Sequence, residues 1–332
     1  MKILFRTSGG SNPKNELGMG HIYRCINLST QLKPHKIIFL IEDFGSVTKA
    51  LRKNNLRTTK LIPGINDKED VKKTIECIDK NQIDVLIIDK YGLTNNYVNA
   101  LRKKVKVVVI TDLRNIQYNA DLIINGFIGY DNSISFNKYK TRCLLGPKYQ
   151  ILNNSFQKVQ TRTKKFDLVI TLGGFDSNCG IEKILTDIIK MKYNFKILVI
   201  LGPATKKTKK ILKFEKENKE YLTIIKETNN FQKEISNARF GICGGGISTY
   251  EFAKMKIPFA IICQYKHQLI TAREWANRDI AENLGLFEDN LKKLRCFLEK
   301  INRKKLKLKT TKIIDGLGSK RIMKEILKLT ND

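Results

Sequence analysis

The feature that most constrains this chain is an alternation, run through twice, between short apolar segments rich in Val, Ile and Leu and longer segments with helical periodicity. In the first half the apolar runs read KILFR, HKIIFLI, RTTKLI, DVLIID, VKVVVIT and ADLIIN, with amphipathic stretches at 22–32, 46–54, 68–80 and 95–104 between them. A polar stretch, KVQTRTKK at 158–165, interrupts the pattern, which restarts as FDLVITL, FKILVIL, LTIIK, RFGIC and PFAIIC with helical segments between. The remainder, 268–332, reads as mainly helical. Short buried runs alternating with helices build parallel sheets. The expected fold class is α/β: two Rossmann-like doubly wound domains, 1–157 and 166–315, joined by a linker at 158–165 and facing a cleft. Ligands are expected outside the carboxyl ends of the strands.

The length of 332 residues exceeds one usual core and agrees with about two domains. No apolar run is long enough to span a membrane, and the apolar start ends at Arg6, too soon for a secretory signal; a cytoplasmic location is expected. The cysteines, Cys25, Cys77, Cys143, Cys179, Cys243, Cys263 and Cys296, include no CxxC pair, so they read as reduced, mostly buried thiols, with neither a disulfide framework nor a zinc site. The net charge of +30 invites a nucleic-acid reading, but the lysines are spread over many segments and no helix-turn-helix, zinc-finger or RNA-binding aromatic signature accompanies them. Compositional drift is the favoured account and no specific nucleic-acid partner is expected. Attraction of anionic substrates, or peripheral contact with a membrane surface, is the secondary one.

The candidate chemistry sits in loops that follow strands. After the first strand, SGGSNPKNELGMGHIYRC puts His21, one of only three histidines, in the first turn of a helix opening near Gly20. Free N–H groups there favour anions and disfavour imidazolium, so His21 is expected to stay neutral at pH 7 and able to accept a proton. Arg24 lies one turn on, placed to hold a carboxylate, phosphate or sugar hydroxyl. A solvated histidine at an ordinary helix start explains the same residues, and the loop is neither a Walker A sequence nor GxGxxG. In CGGGISTYEF, the triplet Gly244–Gly246 lets backbone approach a ligand, and Ser248 and Thr249 at a helix start suit a diphosphate. Glu251 in that first turn can accept bonds from ribose hydroxyls or simply complement the helix dipole. The nucleotide reading is favoured over a plain Gly-rich turn. In TLGGFDSN, Gly173 and Gly174 precede Asp176 or Ser177 as helix cap, a supporting element. The strand end IIDKYGL offers Asp89 to orient His21 or a substrate hydroxyl and Tyr91 to bond or stack on a sugar; Asp112 ends the next strand, and helix capping is the alternative for both acids. His267 and Gln268 precede a later helix, and Gln268 has both donor and acceptor for sugar groups.

The ordered set GMGHIYRC, IIDKYGL, LLGPKYQIL, TLGGFDSN, GGGISTYEFAKMKIP, HQLITAREWA and IDGLGSKRI resembles the UDP-sugar hydrolases of pseudaminic acid biosynthesis, which act on UDP-2,4-diacetamido-2,4,6-trideoxy-beta-L-altropyranose, and their spore-coat polysaccharide relatives. The likeness spans nearly the whole chain; more distantly the sequence is similar to the glycosyltransferase that makes lipid II. The resemblance implies a GT-B fold in which His21 activates water for attack at the anomeric carbon, with inversion and departure of UDP. It implies UDP on the C-terminal domain, at Gly245, Gly246, Ile247, Ser248, Thr249 and Glu251 with Gly174 in support. Gly20, Arg24, Asp89, Tyr91, His267 and Gln268 fall on the sugar side, and no metal or other cofactor is implied. The last segment, 316–332, becomes a helix crossing back to the first domain. Lys90 stands where the family usually has histidine, and Leu113 replaces the second acid of a usual Asp-Asp pair. These departures bear on the sugar more than on the nucleotide. The rival reading is an inverting GT-B glycosyltransferase, which an apolar and basic patch on the first domain would favour.

Overall fold

The computed structural model describes all residues except 12–15, 46, 158–162, 177–178, 204, 206, 227, 229, 288–290 and 331–332. Most of the expected linker at 158–165, and the alternative cap Ser177, therefore lie outside the described residues. The chain divides into two compact units, Met1–Asn153 with Gly316–Asp332, and Asn154–Asp315.

The strands of the first unit are β1 (Lys2–Ser11), β2 (Glu16–Gly18), β3 (Lys36–Phe44), β4 (Arg57–Leu61), β5 (Val85–Asp89), β6 (Lys106–Ile110), β7 (Leu122–Asn125), β8 (Ile134–Phe136) and β9 (Arg142–Leu145). They join in the order β4-β3-β1-β5-β6-β7-β9-β8, with β2 set against β1. All pairings are parallel except the β1–β2 and β8–β9 hairpins. The helices are α1 (Gly20–Ser29), α2 (Val47–Lys53), α3 (Asp67–Asn81) and α4 (Asn95–Arg102).

β5 is buried along its full length, as a parallel strand covered on both faces must be. On one face Phe5, Phe39, Ile41 and Ile87 pack with Ile22, Cys25 and Leu28 of α1. On the other, Leu4, Leu40, Leu86 and Ile88 pack with Cys77 and Ile78 of α3 and with Tyr97, Val98 and Leu101 of α4. The C-terminal helix α11 (Gly318–Lys328) adds Ile322 and Ile326 to the α1 face, and both are fully buried. Burying each contributes roughly 2 kcal/mol. Gly318 lets that helix lie against the backbone: a Cβ there would come within 2.2 Å of the Gln150 carbonyl oxygen.

The second unit carries β10 (Phe166–Thr171), β11 (Ile197–Leu201), β12 (Leu222–Lys226), β13 (Ala238–Cys243), β14 (Phe259–Cys263) and β15 (Ala281–Leu286). They form one parallel sheet in the order β12-β11-β10-β13-β14-β15, the 3-2-1-4-5-6 order of a doubly wound nucleotide-binding sheet. Its helices are α5 (Gly180–Lys190), α6 (Lys209–Glu217), α7 (Phe231–Ser236), α8 (Ser248–Lys254), α9 (Gln268–Ala276) and α10 (Leu291–Asn302).

Two segments depart from the expected pattern. The stretch 268–332, expected as mainly helical, carries α9, α10 and α11 but also contains β15 and an irregular run over 305–317. β15 reads AENLGL, where Glu282, Asn283 and a Gly285 at φ 82° hide the strand from any apolar periodicity. The β8–β9 hairpin also escaped notice, because two of the three β8 residues are exposed.

Candidate active site

In a doubly wound sheet the strand order reverses beside the first strand, and the crevice lies at the carboxyl ends there. In the first unit that point falls where β1 and β5 run side by side, with Thr7 in register with Asp89. β1 leads through the β2 hairpin into α1, whose second residue is His21. The close approach of β1 to α1 needs a glycine at Gly9: a Cβ there would lie 2.5 Å from Ile22 Cγ1. Gly20 has open space where its Cβ would be, so packing does not demand it.

His21 Nδ1 lies 2.6 Å from Asp89 Oδ1. Asp89 is fully buried, whereas the His21 side chain keeps about a fifth of its surface exposed. Arg24 donates through Nε to Asp89 Oδ2 at 2.8 Å and through Nη2 to Asp89 Oδ1 at 2.7 Å. The same guanidinium reaches Asp112, through Nη1 to Oδ1 and through Nη2 to Oδ2 at 3.1 Å. An ionised carboxylate can only accept, so His21 donates from Nδ1 and keeps its lone pair on Nε2. Asp112 is brought round by Leu113, a non-glycine residue at φ 51°, whose carbonyl accepts from Asn125 Nδ2 at 2.7 Å.

The electrostatics correct one expectation. Burial works against the imidazolium, but the adjoining Asp89 carboxylate outweighs it, and the His21 pKa is held above its ordinary value, opposite to the direction expected from the helix start. Burial likewise opposes ionisation of Asp89, yet Arg24 and His21 hold its carboxyl far below the usual range. Asp112 is lowered by the same guanidinium against its own desolvation. Arg24 is thus committed to two protein carboxylates; the carboxylate it was placed to hold belongs to the chain itself. Tyr91, 74% exposed, stands outside this cluster.

Lys90 points to the opposite face of β5. It donates to Asp70 at 2.9 Å and Asp67 at 3.3 Å and sits 4.4 Å above the Tyr97 ring. Asp70 also accepts two bonds from the fully buried Arg6, at 2.9 and 2.7 Å, and one from Tyr97 at 2.9 Å. Burial resists the Asp70 charge, but Arg6 and Lys90 bring its pKa down to about 2. Sequence reasoning missed this network; an arginine inside the apolar run KILFR was its one visible sign.

In the second unit the strand order reverses between β10 and β13, and their carboxyl ends carry the two glycine loops. Gly244 N–H donates to the Thr171 carbonyl at 3.2 Å. Gln264 Nε2 donates to the carbonyls of Leu172 at 2.8 Å and Phe175 at 3.2 Å, joining the loop after β14 to the Gly173–Gly174 loop. Gly245 presses on α9, where a Cβ would lie 2.6 Å from Gln268 Cβ, while the space around Gly246 is open. The fully buried Thr249 spends its hydroxyl on the Gly246 carbonyl at 2.8 Å. Ile247 stands helical ahead of α8, and Ser248 is half-buried. Glu251 is pushed up to about 7 by burial, with Ser248 pulling the other way. Asp176 caps α5 by accepting from Gly180 N at 2.7 Å and Ile181 N at 3.0 Å. Gln268 opens α9 and accepts from Gln264 N at 2.9 Å, while His267 stacks at 5.6 Å on Tyr265. Among the described residues no cluster of three or more His, Cys, Asp or Glu is arranged to hold a metal. No helix among them is long and apolar enough to cross a membrane.

No protein-family model matches the chain. It is 29% identical over 81% of its length to MJ1062, an uncharacterised protein of Methanocaldococcus jannaschii, and spans 57% of that protein. It is 27% identical over 82% of its length to the spore coat polysaccharide biosynthesis protein SpsG of Bacillus subtilis, spanning 81% of it. With the UDP-2,4-diacetamido-2,4,6-trideoxy-beta-L-altropyranose hydrolase of Campylobacter jejuni it shares 24% identity over 82% of its length and 95% of the relative's. In structure, 99% of the chain superposes on all of Acinetobacter baumannii MurG, with TM-score 0.66 and 14% identity. The same coverage holds for the Methanocaldococcus jannaschii UDP-GlcNAc 2-epimerase, solved with UDP-GlcNAc and UDP, at TM-score 0.61 and 14% identity. These likenesses, with two parallel-sheet α/β units, make the fold GT-B.

Proposed function

We propose that the chain is a nucleotide-sugar hydrolase that releases UDP from a UDP-diacetamido-trideoxyhexose in nonulosonic acid biosynthesis. The observation that carries this function is the 2.6 Å contact between His21 and Asp89, which leaves Nε2 as the proton acceptor. Nε2 takes a proton from water as its oxygen bonds to the anomeric carbon, on the face opposite the diphosphate. The anomeric C–O bond breaks with its electron pair passing to UDP, and the configuration inverts. A diphosphate leaves without protonation, so no second carboxylic acid is required, unlike ordinary glycosidases. The glycine loops at the switch point of the second unit suit the UDP, with Gly174, Gly245, Gly246, Ile247, Ser248 and Thr249 around the diphosphate and Glu251 on the ribose. His267 and Gln268 are assigned to the sugar.

The polysaccharide biosynthesis in the name of the Bacillus subtilis relative and the hydrolase name of the Campylobacter jejuni one support this choice of substrate class. A glycosyltransferase, in which the same base serves an acceptor hydroxyl, is the second reading. Ile134 and Phe136, exposed beside Lys138 and Lys140 on the first unit, favour it because they form the apolar and basic patch that a membrane-borne acceptor calls for. Incubation with a panel of UDP-diacetamido sugars and no acceptor separates the two. UDP release into water supports the hydrolase, and release only on adding an acceptor supports the transferase.

A further inference from the structure

The β8–β9 hairpin ends the first sheet and holds none of the residues assigned to catalysis or to UDP. Three of the seven exposed large hydrophobic residues among those described fall within it: Ile134 at 46% exposure, Phe136 at 66% and Tyr139 at 40%. Ile134 and Phe136 alternate along β8 and so share one face. Lys138 and Lys140 flank Tyr139 and are exposed with it. From 132 to 142 the sequence NSISFNKYKTR holds three cations and no acid, with Asp131 just before it. Arg142 is engaged with Glu325 at 2.9 Å, leaving the two lysines at the tip.

This tip is built rather than loose. The buried Asn137 side chain donates to the carbonyls of Ile116 at 2.7 Å and Tyr118 at 2.8 Å, and its Oδ1 accepts from Tyr139 N at 2.9 Å and Thr141 N at 3.1 Å. Every hydrogen-bonding position of that amide is used, and Lys140 turns the chain at φ 60°. The fold therefore fixes two apolar side chains and an aromatic ring in water with cations around them.

We infer that this hairpin docks on an anionic lipid bilayer, with Ile134, Phe136 and Tyr139 at headgroup depth and Lys138 and Lys140 on the lipid phosphates. Aromatic and apolar side chains rimmed by lysine are the composition that partitions into a membrane interface, and the net charge of +30 brings the whole protein toward such a surface. A three-residue strand beside two lysines is a poor template for pairing edge to edge with a second copy. The inference stands whether the enzyme is a hydrolase or a transferase.

The test is co-sedimentation of the full chain with vesicles of phosphatidylcholine alone and with added phosphatidylglycerol. Binding is expected only with phosphatidylglycerol and should weaken with salt. Ile134→Ser with Phe136→Ser, and separately Lys138→Ala with Lys140→Ala, should each lower it about tenfold or more. Lys292→Ala with Lys293→Ala, the same charge change on exposed residues of α10, should leave it nearly unchanged. No binding to phosphatidylglycerol vesicles would overturn the inference, as would equal losses in the hairpin and α10 variants. A hairpin variant whose only change is a lower mass in solution would assign the patch to a second copy instead.

Discussion

Asp89 Oδ1 lies 2.6 Å from His21 Nδ1, and the same buried carboxylate takes two bonds from Arg24. One anion at the end of β5 therefore fixes the tautomer of the imidazole, raises its affinity for a proton and holds the arginine beside it. In the proposed reaction Asp89 acts through His21 and is a positioning residue.

The raised His21 pKa sets the pH dependence. In the proposed reaction the neutral ring is the active form, so kcat/KM should climb with pH through an apparent pKa above the ordinary 6.5. Asp89→Asn removes the anion that favours imidazolium. Its profile should shift to lower pH, and the rate should fall about 10²- to 10⁴-fold because the tautomer is no longer enforced. A pH–rate profile of the two proteins checks both. An unmoved inflection would detach Asp89 from the base.

Arg24 separates structural from chemical loss. Arg24→Ala leaves Asp89 buried with His21 as its sole charged partner and should cost about 3–5 kcal/mol of stability in urea unfolding. Asp112 is more than half exposed, so Asp112→Asn should cost about 1 kcal/mol or less. The Asp89 term has a definite sign. Its pKa is depressed on folding, so the stability it confers is present above the usual carboxylate range and is lost as pH falls through the folded value. Arg24→Ala should flatten that acid limb.

If Glu251 holds the ribose as proposed, it ties nucleotide affinity to pH. Burial puts its carboxyl near 7, and a ribose hydroxyl donating to it favours the ionised form. UDP should bind more tightly as pH rises through about 7, with release of a proton. Titration calorimetry of wild type and Glu251→Gln isolates this, because the proton linkage of UDP itself is common to both. Identical pH profiles would remove Glu251 from the ribose.

Most strands were legible because parallel strands covered on both faces write themselves as continuous apolar runs, as VLIID does at β5. What lacked such a run stayed hidden: β8, exposed on one face, and β15, interrupted by Gly285. His21 and its possible orientation by Asp89 could be read from a strand end and a helix start. That Arg24 is spent on Asp89 and Asp112 could not, since those partners are 65 and 88 residues away and no periodicity links them. The direction of the His21 pKa shift was hidden for the same reason: a helix start is visible in sequence, whereas the buried carboxylate beside it acts only in three dimensions. Gln264, which bridges two loops of the second unit, carried no signal beyond being one more polar residue after a strand.

The most direct measurement is turnover of His21→Asn on a UDP-diacetamido sugar that the wild type cleaves, alongside UDP binding by both proteins. Asn keeps a polar side chain at the start of α1 but cannot take the proton. The variant should lose about 10²- to 10⁴-fold in kcat while its Kd for UDP stays within about twofold. Full turnover by His21→Asn would contradict the assignment of the base.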